Sequence, residues 1–358
     1  MRIGIASSLR PMPGGSWQDS VDNLRWVAQF ADRHGYHALW MTEHHFFDQI
    51  GTGSPNLLLG HLAAFTTRLR LGVTVNLLPF HHPVRLAEDL LLLDQVSGGR
   101  LDIGIGRGHA PLEVAVLSRD ADRSRELFDD GYQILAHAFT GEPFAFEGIT
   151  TSLPRIQVFP GPVQRIDRAV PFSGPPFYMP ITSPQSIAYA AEHGIIPLVG
   201  YSNPEQIAAS VRNFEAAAAA AGVGEEQLTW ALDRVATNRP VCVADSRDEA
   251  EEYIRSQSAY SRYTFEMCRL PVGDPGYTPE VPHLPPYDGP IDDRGGAIFG
   301  TRDDVVERIR DLGTLGVRQL AVAFGFYTPA TVFRRQLERF TEEVMPLVSQ
   351  NSLPHGGR

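Results

Sequence analysis

Three adjacent polar residues follow an apolar stretch near the N-terminus. Residues 37–42 have the composition of a buried strand, and Glu43, His44 and His45 come directly after it. A histidine beside a carboxylate is suited to general acid/base catalysis, because the carboxylate can orient the ring and stabilise its charged form. The same three residues would also fit a solvated helix N-terminus with a capping acid.

A second polar group follows the next apolar stretch, residues 69–75. It runs from Asn76 to Pro83 and contains His81 and His82. Because the carboxyl ends of parallel strands meet at one rim, we expect this group to face the first cluster. Four histidines would allow a zinc site, but adjacent histidines do not easily point at one metal and no closely spaced acidic ligands accompany them.

Three further features indicate a site for an anion. Arg107 lies in a glycine-rich stretch, residues 104–108, after a fourth apolar stretch, and offers a planar cation for phosphate. Arg125 could add a second cation, although a surface charge is the commoner role. Ser183 and Ser186 open a predicted helix, where hydroxyl and amide groups bind anions, although Ser183 also fits an ordinary N-cap. Together these residues predict a phosphate-bearing cofactor.

Apolar strands and helical periodicity alternate along the chain and predict an α/β fold. The predicted strands are 2–8, 37–42, 69–75, 100–105, 176–181, 195–199, one within 228–243, and 318–324. Eight such strands, each followed by a helix, predict a (β/α)8 TIM barrel formed by one domain, residues 1–358. A hairpin insertion is expected at 144–152, after the fourth helix, and a long lid loop at 270–296, before the last βα unit.

Composition excludes several classes of function. The 358 residues carry a formal net charge of -11, which argues against a nucleic-acid partner, since phosphate contacts need clustered Lys and Arg. No signal peptide and no membrane-spanning apolar run are expected. The two cysteines, Cys242 and Cys268, form neither a disulfide framework nor a metal set. A cytoplasmic location is the simplest expectation.

Four motifs, taken together and in this order, resemble one known family. They are Trp40-Met-Thr-Glu-His-His-Phe46, Leu78-Pro-Phe-His-His-Pro-Val-Arg-Leu-Ala-Glu-Asp89, Leu93-Asp-Gln-Val-Ser-Gly-Gly-Arg100 and Gly104-Ile-Gly-Arg-Gly108. Over nearly the whole chain, the sequence is similar to the bacterial luciferase-like flavin monooxygenases, and most of all to their luciferase α-subunit branch.

The resemblance implies a barrel that holds reduced FMN supplied by a separate flavin reductase. In such enzymes the flavin reacts with O2 to give a flavin peroxide, which oxidises an aldehyde- or ketone-like substrate. His44 matches the catalytic histidine of the family, and Glu43 and His45 lie beside it. The residues that match the FMN phosphate site are Arg107, Arg125, Ser183 and Ser186. Thr74 and Val75 match a non-proline cis peptide under the flavin ring, and 270–296 matches the mobile lid.

Some features depart from the family or leave alternatives open. Gly106 stands where the luciferase α subunit has a cysteine, which predicts extra room beside the flavin ring and argues against light emission. The family commonly pairs through the helices after strands two and three, so residues 57–64 predict a homodimer. The alternatives are a deazaflavin-dependent hydride-transfer enzyme on the same barrel, a non-catalytic flavin-binding protein and a zinc hydrolase.

Overall fold

A computed structural model describes most of the chain. The described residues are 1–11, 15–47, 51–168, 170, 172–200, 203–278, 283–289, 296–325 and 328–349. Parts of the predicted lid, 279–282 and 290–295, lie outside the described residues. Among the described residues, none of the helices combines the length and the apolar character that a membrane-spanning segment needs.

Eight parallel strands close into a barrel, as predicted. In chain order the strands are β1 (Arg2–Ser7), β2 (Ala38–Met41), β3 (Arg70–Leu77), β4 (Leu101–Gly106), β5 (Phe144–Glu147), β6 (Ser152–Ile156), β7 (Phe177–Pro180), β8 (Ile196–Leu198), β9 (Ala236–Val243), β10 (Ile298–Gly300) and β11 (Gln319–Ala323). The barrel order is β11, β1, β2, β3, β4, β7, β8 and β9, and β9 pairs with both β8 and β11 to close it. The carboxyl ends of these strands therefore form one rim.

The helices surround the barrel and bury its outer face. They are α1 (Trp17–Arg33), α2 (Pro55–Ala63), α3 (Pro83–Ser97), α4 (Pro111–Leu117), α5 (Ser124–Ala138), α6 (Pro184–Glu192), α7 (Pro204–Ala220), α8 (Glu225–Leu232), α9 (Arg247–Arg269), α10 (Arg302–Thr314), α11 (Ala330–Arg339) and α12 (Met345–Val348). A 3-10 turn, Leu78–Phe80, follows β3, and a π-helical segment, Phe340–Val344, joins α11 to α12. Their apolar faces share one core with the outward-facing residues of the strands.

Some short elements were not predicted because they hold too few residues for a periodic pattern. The helix α4 has seven residues and begins at Pro111, and β10 has three residues that pair with the end of β9. The hairpin β5–β6 is confirmed, and it follows the helix that was predicted as the fourth, which is α5 in the structure because the short α4 precedes it. The helix α2 ends at Ala63, and beyond it the Asp32 carboxylate accepts the amides of residues 67–69 where the chain turns into β3.

Small residues inside the barrel make room for large ones. The inner layer contains Trp40 and Tyr178, whose rings meet edge to face at a centroid distance of 5.1 Å. A Cβ atom on Gly72 would lie 2.5 Å from the Trp40 ring, so a side chain at that position would displace the indole. The barrel interior is therefore packed by complementary sizes on neighbouring strands.

Candidate functional site

A cavity of about 510 Å³ opens at the carboxyl ends of β2, β3, β4 and β7. Of the residues predicted from the sequence as site residues, all except His45 line it. They are Glu43, His44, Thr74, Val75, Gly106, Arg107, Arg125, Ser183 and Ser186. The barrel thus brings together residues that are far apart in the chain, and the volume is in the range of cofactor sites.

Glu43 is buried and holds two histidines. Its Oε1 atom accepts hydrogen bonds from His81 Nε2 at 2.8 Å and from His45 Nε2 at 3.2 Å, and Oε2 accepts the Leu77 amide at 2.9 Å. Burial by itself would raise the pKa of Glu43, but the hydrogen bonds from His45, His81 and Leu77 lower it to about 2. Glu43 is therefore a charged anchor at the rim, and the expected meeting of the two histidine-bearing stretches is confirmed.

His81 completes this network. Burial lowers the pKa of its ring, but the hydrogen bond to Glu43 and the negative charge of that carboxylate outweigh burial, so the pKa is raised above its ordinary value. His45 is turned toward Glu43 instead of the cavity, which explains why it does not line the site. Glu43, His45 and His81 therefore form one hydrogen-bonded network at the rim, and the ring of His44 is not part of it.

His44 is supported by a different carboxylate, which the sequence did not predict. Its Nδ1 atom lies 3.1 Å from Glu113 Oε1, and the same oxygen accepts the backbone amide of His45 at 2.7 Å. Glu113 lies in α4, and its side chain is only 1% exposed, whereas that of His44 is 24% exposed. Since a carboxylate accepts the Nδ1 proton, Nε2 is the ring nitrogen left for chemistry. The only signal for Glu113 was an acid shortly after the glycine-rich stretch.

A further histidine, His109, also lines the cavity and was not predicted. Its ring stands perpendicular to that of His44, at a centroid distance of 6.5 Å. Burial, followed by the charges of His44 and Arg269, lowers the pKa of His109, although Glu113 opposes this effect. His109 follows Gly108, whose φ of 78° lies in the left-handed region that favours glycine.

The other side of the cavity carries groups suited to a phosphate. Ser183 is the N-cap of α6, and its hydroxyl accepts the Ser186 amide, while the Ser186 hydroxyl accepts the amides of Thr182 and Ser183. Neither Arg107 nor Arg125 forms an ion pair with any residue that the structure describes. Two cations beside a helix N-terminus, neither in an ion pair with a described residue, fit the phosphate of a nucleotide cofactor.

The cavity floor is formed by β3 and β4. The Thr74–Val75 peptide is cis, at the position that the resemblance implied. The two strands pair at Val73 and again at Asn76, so Thr74 and Val75 face the cavity between these pairs. The predicted extra room at Gly106 is not present, because a Cβ atom there would lie 2.4 Å from Val75 Cγ2. Val75 therefore fills the space that a side chain at position 106 would need.

The predicted lid begins at the end of α9. Within its described residues, the Tyr277 hydroxyl donates to the Phe46 carbonyl, and the Tyr277 ring meets Phe47 at a centroid distance of 5.8 Å. Phe46 and Phe47 directly follow the histidine pair, so this part of the loop contacts the rim of the cavity. In the described part of the chain, no group of three or more His, Cys, Asp or Glu side chains is arranged to hold a metal ion.

Comparisons with known proteins agree with this architecture. Residues 1–319 match the family described as luciferase-like monooxygenase. The chain is 29% identical to 4-hydroxyprotoasukamycin monooxygenase of Streptomyces nodosus subsp. asukaensis over 96% of this chain and 92% of that protein. It is 26% identical to the oxygenase component of the flavin-dependent trigonelline monooxygenase of Acinetobacter baylyi, over 93% of this chain and 91% of that protein.

A solved structure shares the fold. The oxygenating constituent of 3,6-diketocamphane monooxygenase from Pseudomonas putida, described as a type II Baeyer-Villiger monooxygenase in complex with FMN, superposes with a TM-score of 0.76. Its sequence is 22% identical, and the superposition covers 98% of this chain and 99% of that one. With the match over residues 1–319, the chain therefore belongs to the luciferase-like family of flavin-dependent monooxygenases.

Proposed function

We propose that this chain is the oxygenase component of a two-component enzyme that uses reduced FMN and O2 to oxidise a small organic substrate with an aldehyde- or ketone-like group. The observation that carries the proposal is the opposed placement of two groups in one cavity. A histidine held by a buried carboxylate, His44 with Glu113, faces the space next to a phosphate-type site at Arg107, Arg125 and α6. A proton-transfer group and a cofactor site are thus within reach of each other.

Different residues of the chain would bind different parts of FMN. Arg107 and Arg125, with the hydroxyls of Ser183 and Ser186, would hold the phosphate through charge and hydrogen bonds. Thr74 and Val75 would support the ring from the floor, and Gly106 lets Val75 adopt its place. When bound, reduced FMN supplies the electrons that activate O2.

His44 would hold or move the proton at the reacting oxygen. Its Nδ1 atom is directed at Glu113, so its Nε2 atom is the one available to substrate. Glu43 and His45 keep the rim in place through their mutual hydrogen bond rather than by contact with substrate. The predicted lid would exclude water from the site, which favours oxidation of the substrate over loss of the oxidising power to solvent.

Two relatives support the choice of cofactor and partner. The trigonelline enzyme is described as an oxygenase component, which implies a separate flavin reductase as its partner, and FMN is bound in the solved structure with the shared fold. We infer the same cofactor and a reductase partner for this chain. Its placement in the α-subunit branch stays a prediction.

The first experiment is to mix the protein and reduced FMN with O2 and follow flavin absorbance by stopped flow. We expect bound FMN to reoxidise more slowly than free FMN, and a suitable aldehyde or ketone to change that rate while it is oxidised. His44→Ala should keep FMN binding and lose most substrate oxidation. Reoxidation at the rate of free FMN would contradict the proposal, and hydride transfer with a deazaflavin coenzyme would then be tested.

We also propose a homodimer, which rests on an apolar surface on α2 and α3. This surface exposes Leu57, Leu92 and Val96, with 79%, 54% and 55% of their areas accessible. Such exposure on two neighbouring helices is typical of a protein interface. Leu57→Glu should produce a monomer in analytical ultracentrifugation, whereas Ile149→Glu on the distant hairpin should not. A monomeric wild-type protein at micromolar concentration would rule out the dimer.

A further inference from the structure

His109 presents a ring without a partner to the active-site cavity. More than a third of its surface is exposed, and no residue that the structure describes forms a hydrogen bond or an ion pair with its ring. Both ring nitrogens are therefore available to a ligand. This differs from His44, where Glu113 occupies one nitrogen, and from His45 and His81, where Glu43 does.

The backbone on both sides holds His109 in position. A Cβ atom on the preceding Gly108 would lie 2.8 Å from the Phe80 ring, so that glycine is packed closely against its neighbour. The following residue, Ala110, is fully buried and packs with Phe47 and Cys268. Because both neighbours are closely packed, the backbone that carries His109 is held at the edge of the cavity.

The distance between the two cavity histidines suits a shared ligand atom. Their ring centroids are 6.5 Å apart and their planes are nearly perpendicular, at 89°. An oxygen atom that forms hydrogen bonds of about 2.8 Å to both rings requires that the two ring nitrogens lie no more than about 5.6 Å apart. The centroid distance is compatible with this requirement, so the spacing of the two rings allows one ligand oxygen to contact both.

We propose that His109 is a second proton-transfer residue of the active site, and that it and His44 contact the same ligand oxygen. The inference rests on the proposed function, because it names a further residue for that reaction. His109 accepts a proton from an O–H group in the cavity: the O–H bond breaks, its electron pair stays on the oxygen, and an N–H bond forms on the ring. The exposed side of the ring then returns the proton to solvent.

The charges around His109 agree with this role. Burial lowers the pKa of the ring, and the Coulombic effects of His44 and Arg269 lower it further against the effect of Glu113. His109 is therefore neutral near pH 7 and able to accept a proton. The two rings would therefore have different roles: the neutral ring of His109 accepts a proton, and His44, which is held by a carboxylate, donates one.

The first test uses the protein without flavin. NMR titration of the histidine C2 protons should give His109 a pKa below its ordinary value, and His44→Gln should raise that pKa because it removes the Coulombic effect of the His44 ring. His34→Gln, an exposed histidine at the end of α1, serves as the matched control and should leave His109 unchanged. A His109 pKa that does not respond to His44→Gln would overturn the pairing of the two rings.

The second test uses the protein loaded with reduced FMN and no organic substrate. The rate of H2O2 release in air should depend on pH, with an apparent pKa that matches the NMR value of His109. His109→Gln and His109→Phe should remove this dependence and slow release about tenfold at neutral pH, with unchanged FMN affinity. A wild-type pH profile in His109→Gln would refute the inference. If wild-type protein does not bind reduced FMN, the proposed function fails instead, and the NMR test still decides the pairing.

Discussion

The Nδ1 atom of His44 and the Oε1 atom of Glu113 lie 3.1 Å apart, although 69 residues separate them in the chain. The same oxygen accepts the backbone amide of His45, so one carboxylate fixes both the ring and the backbone that carries it. Glu113 is buried, and its position leaves His44 Nε2 directed to the cavity. We infer that Glu113 positions His44 without contacting substrate.

Glu113→Gln should reduce substrate oxidation about tenfold or more while FMN affinity stays within about twofold of wild type. A glutamine amide can donate to Nδ1, which favours the wrong tautomer of His44. The measurement is the share of consumed O2 that appears as H2O2, which should rise, together with the pH profile of product formation. Glu88→Gln on the surface of α3 is the matched control. Unchanged coupling in Glu113→Gln would remove this carboxylate from the mechanism.

Gly106→Ala should lower the free energy of unfolding by about 1–3 kcal/mol, as overpacked sites commonly do. The new Cβ atom would lie 2.4 Å from Val75 Cγ2, so one of the two strands must shift. Val75→Ala removes that contact, and the double variant should regain most of the loss, which denaturant unfolding of all four proteins can measure. If the changes in the free energy of unfolding of the two single variants simply add in the double variant, contact with Val75 is not what prevents a side chain at position 106.

The network around Glu43 should make stability depend on pH. The folded pKa of Glu43, about 2, is below the ordinary value of 4.5, so its contribution is present above pH 4.5 and is lost as the pH falls toward 2. The folded pKa of His81 is raised above 6.5, so its contribution is present below pH 6.5 and is lost as the pH rises through the folded value. The shift of Glu43 corresponds to about 3 kcal/mol.

Glu43→Gln should therefore be most destabilised relative to wild type between pH 4.5 and 6.5, where both contributions are present. Urea unfolding below, within and above that window measures the difference between the two proteins. The variant His81→Gln distinguishes the contributions of the two residues. Its stability should no longer fall as the pH rises through the folded pKa of His81, but part of the fall in stability toward pH 2 should remain. A difference that does not vary with pH would mean that the network contributes by packing alone.

Arg107→Ala should weaken FMN binding by about tenfold to a hundredfold and leave riboflavin binding nearly unchanged. The guanidinium has no ion-pair partner among the described residues, and the phosphate is the only strongly charged group by which the two flavins differ. Fluorescence titration of both flavins measures this. Arg85→Ala, which removes a surface cation paired with Glu88, controls for the general loss of positive charge. Equal losses for FMN and riboflavin would place Arg107 away from the phosphate.

Much of the architecture was determined by the sequence itself. Eight apolar stretches separated by helical periodicity predict the barrel, because a strand or helix that buries one face must repeat its apolar residues at a fixed period. Parallel strands end on the same side of a barrel. The sequence therefore predicts that residues placed after strands or at the start of a helix lie at one rim, as Glu43-His44, Arg107 and Ser183 do. These features depend on local pattern and on a general rule of chain connection.

Only the tertiary structure decided how the side chains at that rim pair. By position in the sequence, Glu43 was the candidate partner of His44, but in the structure Glu43 contacts His45 and His81, and Glu113 contacts His44. The fold also placed Val75 in the space that position 106 appeared to leave open. Such choices depend on side-chain directions and on distances between residues remote in the chain. Periodicity carries no information about either, because it reports only which face of an element is buried.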